Sequence, residues 1–167
     1  MDYLEQRSTP NYTSGRQNSQ IEAVVLHSTE GEFPGLNDWL TNKKSKVSYH
    51  VVISKAGEFF QYVEFKNTAW HAGVVYKSDW PFLDFGDNPN LYTVGLAYEG
   101  YAQEGPSPIQ YFYLAFLTAF LSINFDFQID KNTVIGHNKI RTDKNCPGAK
   151  FPISSFIDLA LIFYRSM

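Results

Sequence analysis

Two side chains that zinc prefers as ligands occur close together in residues 133–148, which read T-V-I-G-H-N-K-I-R-T-D-K-N-C-P-G. His137 follows a short β-branched run, and Cys146 is the single cysteine of the 167-residue chain. A neutral imidazole and a thiolate both bind zinc well. Lys144 lies just before the cysteine, where its positive charge would favour the thiolate and could stabilise a developing oxyanion. This stretch therefore predicts part of a catalytic metal site.

A catalytic zinc site has three protein ligands and keeps its fourth position for water, so one more ligand is needed. We assign it to His27, which follows the apolar run I-E-A-V-V-L at 21–26. The apolar runs before His27 and His137 are typical of strands that helices cover on both faces. If these strands are parallel neighbours, both imidazoles emerge at the carboxyl edge of the sheet, where Cys146 can join them.

The other elements are predicted from hydrophobic periodicity and turn residues. Further strands are predicted at 47–53, 59–63 and 93–99, the strand before His137 at 133–136, and helices at 36–41, 109–123 and 153–164. Residues 1–20 are polar and rich in turn signals, so they are interpreted as a surface segment. Because no repeat or linker is visible, we predict one α/β domain over residues 1–167.

Side-chain directions follow from these elements. Alternation along the strand at 47–53 predicts Tyr49 on the same face as Val51 and Ile53. The same alternation places His50 on the opposite face, so we interpret His50 as a buried, hydrogen-bonded residue or as a residue that supports a ligand, and not as a rival zinc ligand. In the short helix, Trp39 is predicted to face inward with its neighbour leucine.

Composition argues against several functional classes. Charged residues make up 19% of the chain and the net charge is −3, with no Lys/Arg-rich block, so we expect no nucleic-acid partner. The first residues have neither a basic nor an apolar signal region, and the apolar run at 109–127 is interrupted by polar residues. We therefore expect a monomer that is cytoplasmic at synthesis, without a membrane insertion. A single cysteine excludes an internal disulfide.

Five stretches, in this order, resemble one known family: V-V-L-H-S-T at 24–29, V-S-Y-H-V-V-I-S-K-A-G at 47–57, W-H-A-G at 70–73, N-L-Y-T-V-G-L at 90–96 and G-H-N-K-I-R-T-D-K-N-C-P-G at 136–148. They are similar to the zinc-dependent N-acetylmuramoyl-L-alanine amidases of the type-2 family. That family includes phage lysozyme amidases, recycling amidases and peptidoglycan-recognition proteins. The K-x-C-P-G ending resembles the branch that uses cysteine where others use aspartate.

The resemblance implies a central mixed β-sheet flanked by helices and one Zn²⁺ ion per chain. It implies a peptidoglycan or muropeptide substrate, cut at the amide bond between N-acetylmuramic acid and L-alanine. The residue roles implied are His27, His137 and Cys146 as zinc ligands, Tyr49 and Lys144 as catalytic, and His71 and Asn90 in the substrate groove. Trp70 and the aromatic residues at 76–92 would offer apolar faces to a sugar or stem peptide, or would simply pack.

One position departs from the family pattern. Many members carry a glutamate, proposed as the proton acceptor, two residues after the glycine that corresponds to Gly95. Here that position is Ala97. Glu99 would follow on the same strand face, roughly 6–7 Å further along at the usual rise per residue. Glu99 is therefore either a replacement acceptor or an ordinary surface glutamate.

Two other functions remain open from the sequence. The first is a peptidoglycan-binding module without activity, although such modules usually lose the cysteine ligand that is present here. The second is a cysteine hydrolase, but Pro147 follows the thiol and offers no N–H for an oxyanion hole. As an amidase, the protein would suit a phage-type endolysin released by a holin, an enzyme acting on recycled muropeptides in the cytosol, or an effector delivered to a rival cell.

Overall fold

The computed structural model describes residues 4–83 and 88–167. One six-stranded sheet has the order β1-β5-β4-β7-β3-β8, and β2 and β6 pair separately. The strands are β1 Leu4–Gln6, β2 Tyr12–Thr13, β3 Ala23–Ser28, β4 Val51–Ile53, β5 Phe59–Gln61, β6 Thr68–Ala69, β7 Thr93–Tyr98 and β8 Val134–Gly136. The helices are α1 Gly35–Thr41, α2 Pro108–Phe125 and α3 Ile153–Ser166, with 3₁₀ turns at Pro89–Leu91 and His137–Lys139.

The sheet is mixed, which confirms the predicted α/β class. β3 lies between β7 and β8 and is parallel to both, and β4 is parallel to β7. β5 runs antiparallel to β4, as the hairpin prediction required. The register sets His27 opposite Ala97 of β7, one residue beyond the pair of Leu26 with Gly136 of β8. The strands before His27 and His137 therefore end at the same edge of the sheet.

Side chains along β3 alternate between the two faces of the sheet, and a separate packed layer covers each face. Val24 and Leu26 face a core that includes the buried sides of α2 and α3. Ala23 and Val25 face the opposite layer, where loop residues such as Trp80 and Ile140 cover them. His27 continues that second series, so its imidazole lies on the loop-covered face. Burial of these apolar side chains is the main force that holds both layers on the sheet.

α2 begins at a capping box. Ser107 accepts the backbone N–H of Gln110 at 3.4 Å, and the Gln110 side chain accepts the backbone N–H of Ser107 at 2.9 Å. By length and composition alone, α2 is long and apolar enough to cross a membrane, and it is the one such helix among the residues described. Its buried side chains, including Leu114, Leu117 and Leu121, lie in the core beside α3.

The strand predicted at 47–53 is shorter than expected, and the predicted face of Tyr49 is wrong. Tyr49 packs with Val52 and Leu36, whereas Val51 and Ile53 lie in the other layer. The reason is that residues 48–50 leave the regular ladder. The carbonyl of His50 accepts the backbone N–H groups of both Tyr62 and Val63, and the N–H of Ser48 goes to the carbonyl of Trp70. Such a local irregularity breaks the two-residue period.

One further expectation differs from the structure. Trp39 is 54% exposed, while Leu40 beside it is fully buried, so only one of the pair faces inward. Most residues of the segment 4–20 are exposed, but the segment also contacts the rest of the domain. Leu4–Gln6 extends the sheet in parallel with β5, and Asn11 is fully buried, with its amide donating to the carbonyl of Leu40 at 3.1 Å.

Candidate metal centre and active site

The structure brings the three predicted ligands together. One ligand atom from each of His27, His137 and Cys146 lies within 4.8 Å of the others. The imidazole rings of the two histidines are 4.7 Å apart between centroids, and Cys146 Sγ is 3.7 Å from His27 Nδ1. Ligands at zinc-bond distances from one ion are separated by roughly 3.5 Å, so the cluster fits one metal ion after a small contraction.

Cys146 reaches this position because its loop is held from several sides. Its Sγ accepts the backbone N–H of Ser28 at 3.1 Å. The Tyr98 hydroxyl donates to the carbonyl of Pro147 at 2.6 Å. Gly148 has φ +101°, and a Cβ there would lie 2.6 Å from the carbonyl carbon of Ala102, so only glycine fits this turn.

Burial controls the protonation of the ligand candidates. It lowers the pKa of His27 well below its usual value and also lowers the pKa of His137, so both rings are neutral, the form that binds metals. Burial raises the pKa of the Cys146 thiol to about 11, against the opposing effect of its hydrogen bonds with Ser28. A bound cation reverses this balance and deprotonates a coordinating thiol.

Tyr49 lies beside this cluster, with its ring centroid 5.1 Å from that of His27. Burial raises the pKa of Tyr49, so the phenol keeps its proton and acts as a hydrogen-bond donor. Within residues 4–83 and 88–167, no protein group hydrogen-bonds its hydroxyl. Lys144 is exposed, and its charge lowers the pKa of both His137 and Cys146, so its ammonium acts on the same centre.

His71 and Asn90 lie beneath the site, which differs from the groove positions predicted for them. His71 is 4% exposed, and its Nδ1 is 3.1 Å from His27 Nε2. Asn90 is 8% exposed, and its Oδ1 accepts the backbone N–H groups of His71 at 3.0 Å and Ala72 at 2.8 Å. Both side chains therefore bind protein groups directly behind the two histidines of the cluster.

The aromatic residues divide between core and surface. Trp70 is half-buried, and its indole N–H donates to Thr13 Oγ1 at 2.9 Å. Trp80 is buried against Tyr92, and its indole N–H donates to the carbonyl of Asn132 at 2.7 Å. Tyr76 is exposed. Of the predicted aromatic loop at 76–92, positions 84–87 lie outside the described residues.

Glu99, the predicted candidate for proton acceptor, is structurally engaged. Its side chain is buried, and its two oxygens accept the backbone N–H groups of Phe33 at 2.8 Å and Lys55 at 2.7 Å. Both bonds hold loops at the end of β4 and the start of α1. With both oxygens used in this way, the geometry does not support Glu99 as an acceptor of a substrate proton.

A different carboxylate near the centre was not singled out from the sequence. Glu30 Oε1 accepts the Ser28 hydroxyl at 2.6 Å and the backbone N–H of Ala102 at 2.8 Å. After the larger effect of burial, its negative charge also raises the pKa of both Cys146 and Tyr49, so Glu30 lies near both groups. Glu30 also adopts φ +52°, a left-handed conformation that is uncommon for non-glycine residues and often found at functional sites. The sequence reveals neither this backbone conformation nor the hydrogen bonds that hold Glu30.

Residues 17–149, which contain the whole cluster, match the protein family described as N-acetylmuramoyl-L-alanine amidase. The chain belongs to this amidase family. The family predicted from the five sequence stretches is therefore confirmed. The matched residues also include Tyr49, His71 and Asn90.

Curated relatives with this activity in their names align over parts of their length. N-acetylmuramoyl-L-alanine amidase A of Achromobacter lyticus is 32% identical over 98 residues, which are 58% of this chain and 46% of that protein. The 1,6-anhydro-N-acetylmuramyl-L-alanine amidase AmpD of Salmonella typhimurium is 34% identical over 125 residues, 73% of this chain and 62% of that protein. The chain thus spans about half to three-fifths of these relatives.

Solved structures support the fold of the whole chain. A selenomethionine derivative of AmpD superposes with a TM-score of 0.78 at 24% identity, covering 95% of each chain. The endolysin N-acetylmuramoyl-L-alanine amidase LysCS of Clostridium intestinale superposes with a TM-score of 0.69 at 22% identity, covering 93% of each. The six-stranded mixed central sheet with three helices is therefore the architecture of type-2 amidases.

Proposed function

We propose that this chain is a zinc-dependent N-acetylmuramoyl-L-alanine amidase. It would hydrolyse the amide bond between the lactyl group of N-acetylmuramic acid and L-alanine in peptidoglycan or a muropeptide. The observation that carries the proposal is the convergence of His27, His137 and Cys146 in a chain of this family. Their neutral imidazoles and one sulfur form a donor set that zinc favours.

In this proposal, each polar group near the cluster has a separate task. A zinc ion held by these three residues would act as a Lewis acid, the chemistry that activates water and polarises a carbonyl group. The Tyr49 hydroxyl donates a hydrogen bond to the carbonyl oxygen of the amide, which becomes negatively charged when the carbonyl carbon becomes tetrahedral. Lys144 adds a positive charge on the solvent side of the same centre. Burial keeps the Tyr49 proton in place across neutral pH, as this donor role requires.

We assign the proton acceptor to Glu30. The usual glutamate position is Ala97 in this chain, and the Glu99 carboxylate is occupied by two backbone N–H groups. Glu30 is held by its Oε1 alone among the described residues, which leaves Oε2 for a proton. Its placement next to Ser28, whose N–H binds Cys146 Sγ, supports this role. It accepts a proton from water and can return it to the leaving amine.

The decisive experiment uses purified full-length protein and a soluble muropeptide. Mass spectrometry should detect a released stem peptide with a free L-alanine N-terminus. Activity should disappear after exhaustive chelation and return with zinc. Cys146→Ser should bind less zinc and release less peptide. A protein that binds muropeptide and zinc but releases no peptide would be a recognition module, and activity that survives chelation would exclude the metal mechanism.

The biological setting is a second, separate proposal. We propose a phage-type endolysin; the fold is shared with LysCS, a protein named as an endolysin, and with AmpD, so the fold alone fits either setting. A cytosolic recycling role is favoured by the curated relatives, because AmpD is named as an amidase of 1,6-anhydro substrates. Rates on intact sacculi and on soluble 1,6-anhydro muropeptides should be compared directly. Faster cleavage of sacculi supports the endolysin, and the opposite preference supports recycling.

A further inference from the structure

We propose that His71 and Thr93 fix the tautomer of His27 so that Nδ1 is its metal-binding atom, which makes both positioning residues of the metal centre. This inference rests on the proposed zinc function and adds residues that support the ligands from behind. It also gives His71 a task different from the groove contact expected from the sequence.

The Thr93 hydroxyl determines which atom is the donor in each hydrogen bond of this series. Its hydroxyl lies 2.6 Å from the carbonyl oxygen of Pro89, which can only accept, so the single hydroxyl hydrogen points there. The Thr93 oxygen must therefore accept from its other neighbour, His71 Nε2, at 3.2 Å. This arrangement places a hydrogen on Nε2 of His71.

The donor and acceptor atoms of His71 and His27 follow from this assignment. His71 is buried, and none of its hydrogen-bond partners among the described residues is a carboxylate that could pair with a charged ring, so the imidazole is neutral and carries one hydrogen only. With that hydrogen on Nε2, Nδ1 is an acceptor, and its partner at 3.1 Å is His27 Nε2. His27 must then carry its own hydrogen on Nε2. Its Nδ1 keeps a free lone pair on the side that faces Cys146 Sγ.

Ala72, which follows His71 in the chain, holds the second histidine, His137, in the same way. His137 Nε2 lies 3.0 Å from the backbone carbonyl of Ala72, which can only accept. His137 therefore also carries its hydrogen on Nε2 and offers Nδ1 to the cluster. Residues 71–72 thus orient both imidazoles, and a hydrogen-bonded partner behind a ligand histidine generally sets its tautomer and basicity.

Residues 71–72 are themselves fixed in place. Asn90 Oδ1 accepts the backbone N–H groups of both residues, and its amide nitrogen donates to Asn88 Oδ1 at 3.0 Å. The His71 ring also lies close against β7, because a Cβ at Gly95 would come within 2.8 Å of His71 Cβ and Cδ2. A glycine at this position is therefore what allows the imidazole to reach His27.

The test compares three variants with the wild-type holoprotein. His71→Leu removes the acceptor for His27, and Thr93→Val removes the hydroxyl that orients His71. His71→Asn retains an amide oxygen near the position of Nδ1. Zinc affinity, measured by competition with a chromophoric chelator, should fall about 10–100-fold in His71→Leu. Thr93→Val should lose affinity by a smaller factor, and His71→Asn should recover most of the loss.

A second readout needs neither metal nor substrate. Two-dimensional ¹H–¹⁵N NMR of the metal-free wild type should show the hydrogen on Nε2 in both His27 and His137. Thr93→Val should give a mixture of tautomers at His71 and His27. A wild-type His27 that carries its hydrogen on Nδ1 would overturn the inference, even if the His71 variants fail to fold.

The outcomes also separate this inference from the proposed function and from a groove role. If His71→Leu binds zinc like the wild type but raises KM, His71 contacts substrate and the inference is wrong. If wild-type protein shows the expected tautomers and zinc affinities but cleaves no muropeptide, the positioning role stands while the amidase proposal fails. If the wild type binds no zinc, the proposed function fails, and the NMR measurement alone decides the tautomer.

Discussion

The backbone nitrogen of Ser28 lies 3.1 Å from the sulfur of Cys146, with its N–H directed at Sγ. Ser28 directly follows His27, so one step of β3 supplies both a proposed zinc ligand and a hydrogen bond to the sulfur of another proposed ligand. A hydrogen bond to the charged form of a group favours that form. This pair of residues therefore joins the strand and the distant cysteine loop into one site that is prepared for a thiolate.

We expect the zinc affinity of the protein to rise with pH. Because burial raises the pKa of Cys146 to about 11, the metal-free sulfur is protonated near neutrality and zinc must displace that proton. The buried histidines have lowered pKa values and lose no proton in this range. Affinity should therefore increase about tenfold per pH unit between about pH 7 and 9, measured by chelator competition. Cys146→Asp is the control, because its carboxylate is already ionised and its zinc affinity should change little with pH. An equally small pH dependence in the wild type would contradict thiolate ligation.

Tyr49→Phe should lower kcat by about 10²–10³ while zinc content stays constant, because only the oxyanion donor is removed. Steady-state cleavage of a muropeptide and metal analysis check both parts. Tyr62→Phe is a matched control. Tyr62 lies in the same apolar cluster, but its hydroxyl is bonded to Asn37 Oδ1 at 3.0 Å, so its loss should leave kcat unchanged. Near-normal kcat in Tyr49→Phe would remove its catalytic role.

Lys144→Ala should lower kcat at least about tenfold, because a positive charge beside the developing oxyanion is lost. Lys144→Arg should retain more of the rate, since the charge remains. Lys139→Ala serves as the control, because Lys139 pairs with Asp79 at 2.8 Å on the exposed surface. Equal effects of Lys144→Ala and Lys139→Ala on kcat would indicate a general electrostatic effect instead of a role in the site.

Glu30→Gln and Glu99→Gln should have opposite profiles. Glu30→Gln keeps an oxygen for its two hydrogen bonds but removes the acceptor charge, so kcat should fall about 10²–10⁴ with little change in stability. Glu99→Gln turns an NH₂ group towards one of the two backbone N–H groups it now binds. It should therefore cost about 1–3 kcal/mol of unfolding free energy with near-normal kcat. If Glu99→Gln lowered kcat instead and Glu30→Gln did not, Glu99 would be the proton acceptor.

Gly95→Ala should destabilise the protein and weaken its metal site. The added methyl would lie within 2.8 Å of His71 Cβ and Cδ2, so the imidazole must move away from β7. Overpacking of this kind costs typically about 1–3 kcal/mol, measured by denaturant unfolding. Gly31→Ala is the control, because no atom lies within 4 Å of its added Cβ. Equal stability and zinc affinity in the two variants would show that the site near His71 can relax.

Much of the fold follows from the sequence because the controlling signals are local. Apolar runs predicted β3, β7 and β8, and periodicity with proline and turn residues predicted α2 and α3 within a few positions. The sequence offered the parallel pairing of β3 with β8 only as a condition, and the structure shows that pairing. The prediction failed at residues 48–50, where hydrogen bonds from distant segments interrupt the strand and turn Tyr49 to the other layer.

For the site, the sequence by itself determined which residue types are available and which strand ends carry them. It singled out His27, His137 and Cys146, because ligand chemistry depends on side-chain identity. Only the tertiary structure separated ligands from supporting groups, as it placed His71 behind His27 and tied Glu99 to two loops. The physical reason is that a hydrogen bond depends on position and direction in space, and the partners that orient His27 come from segments far apart in the chain.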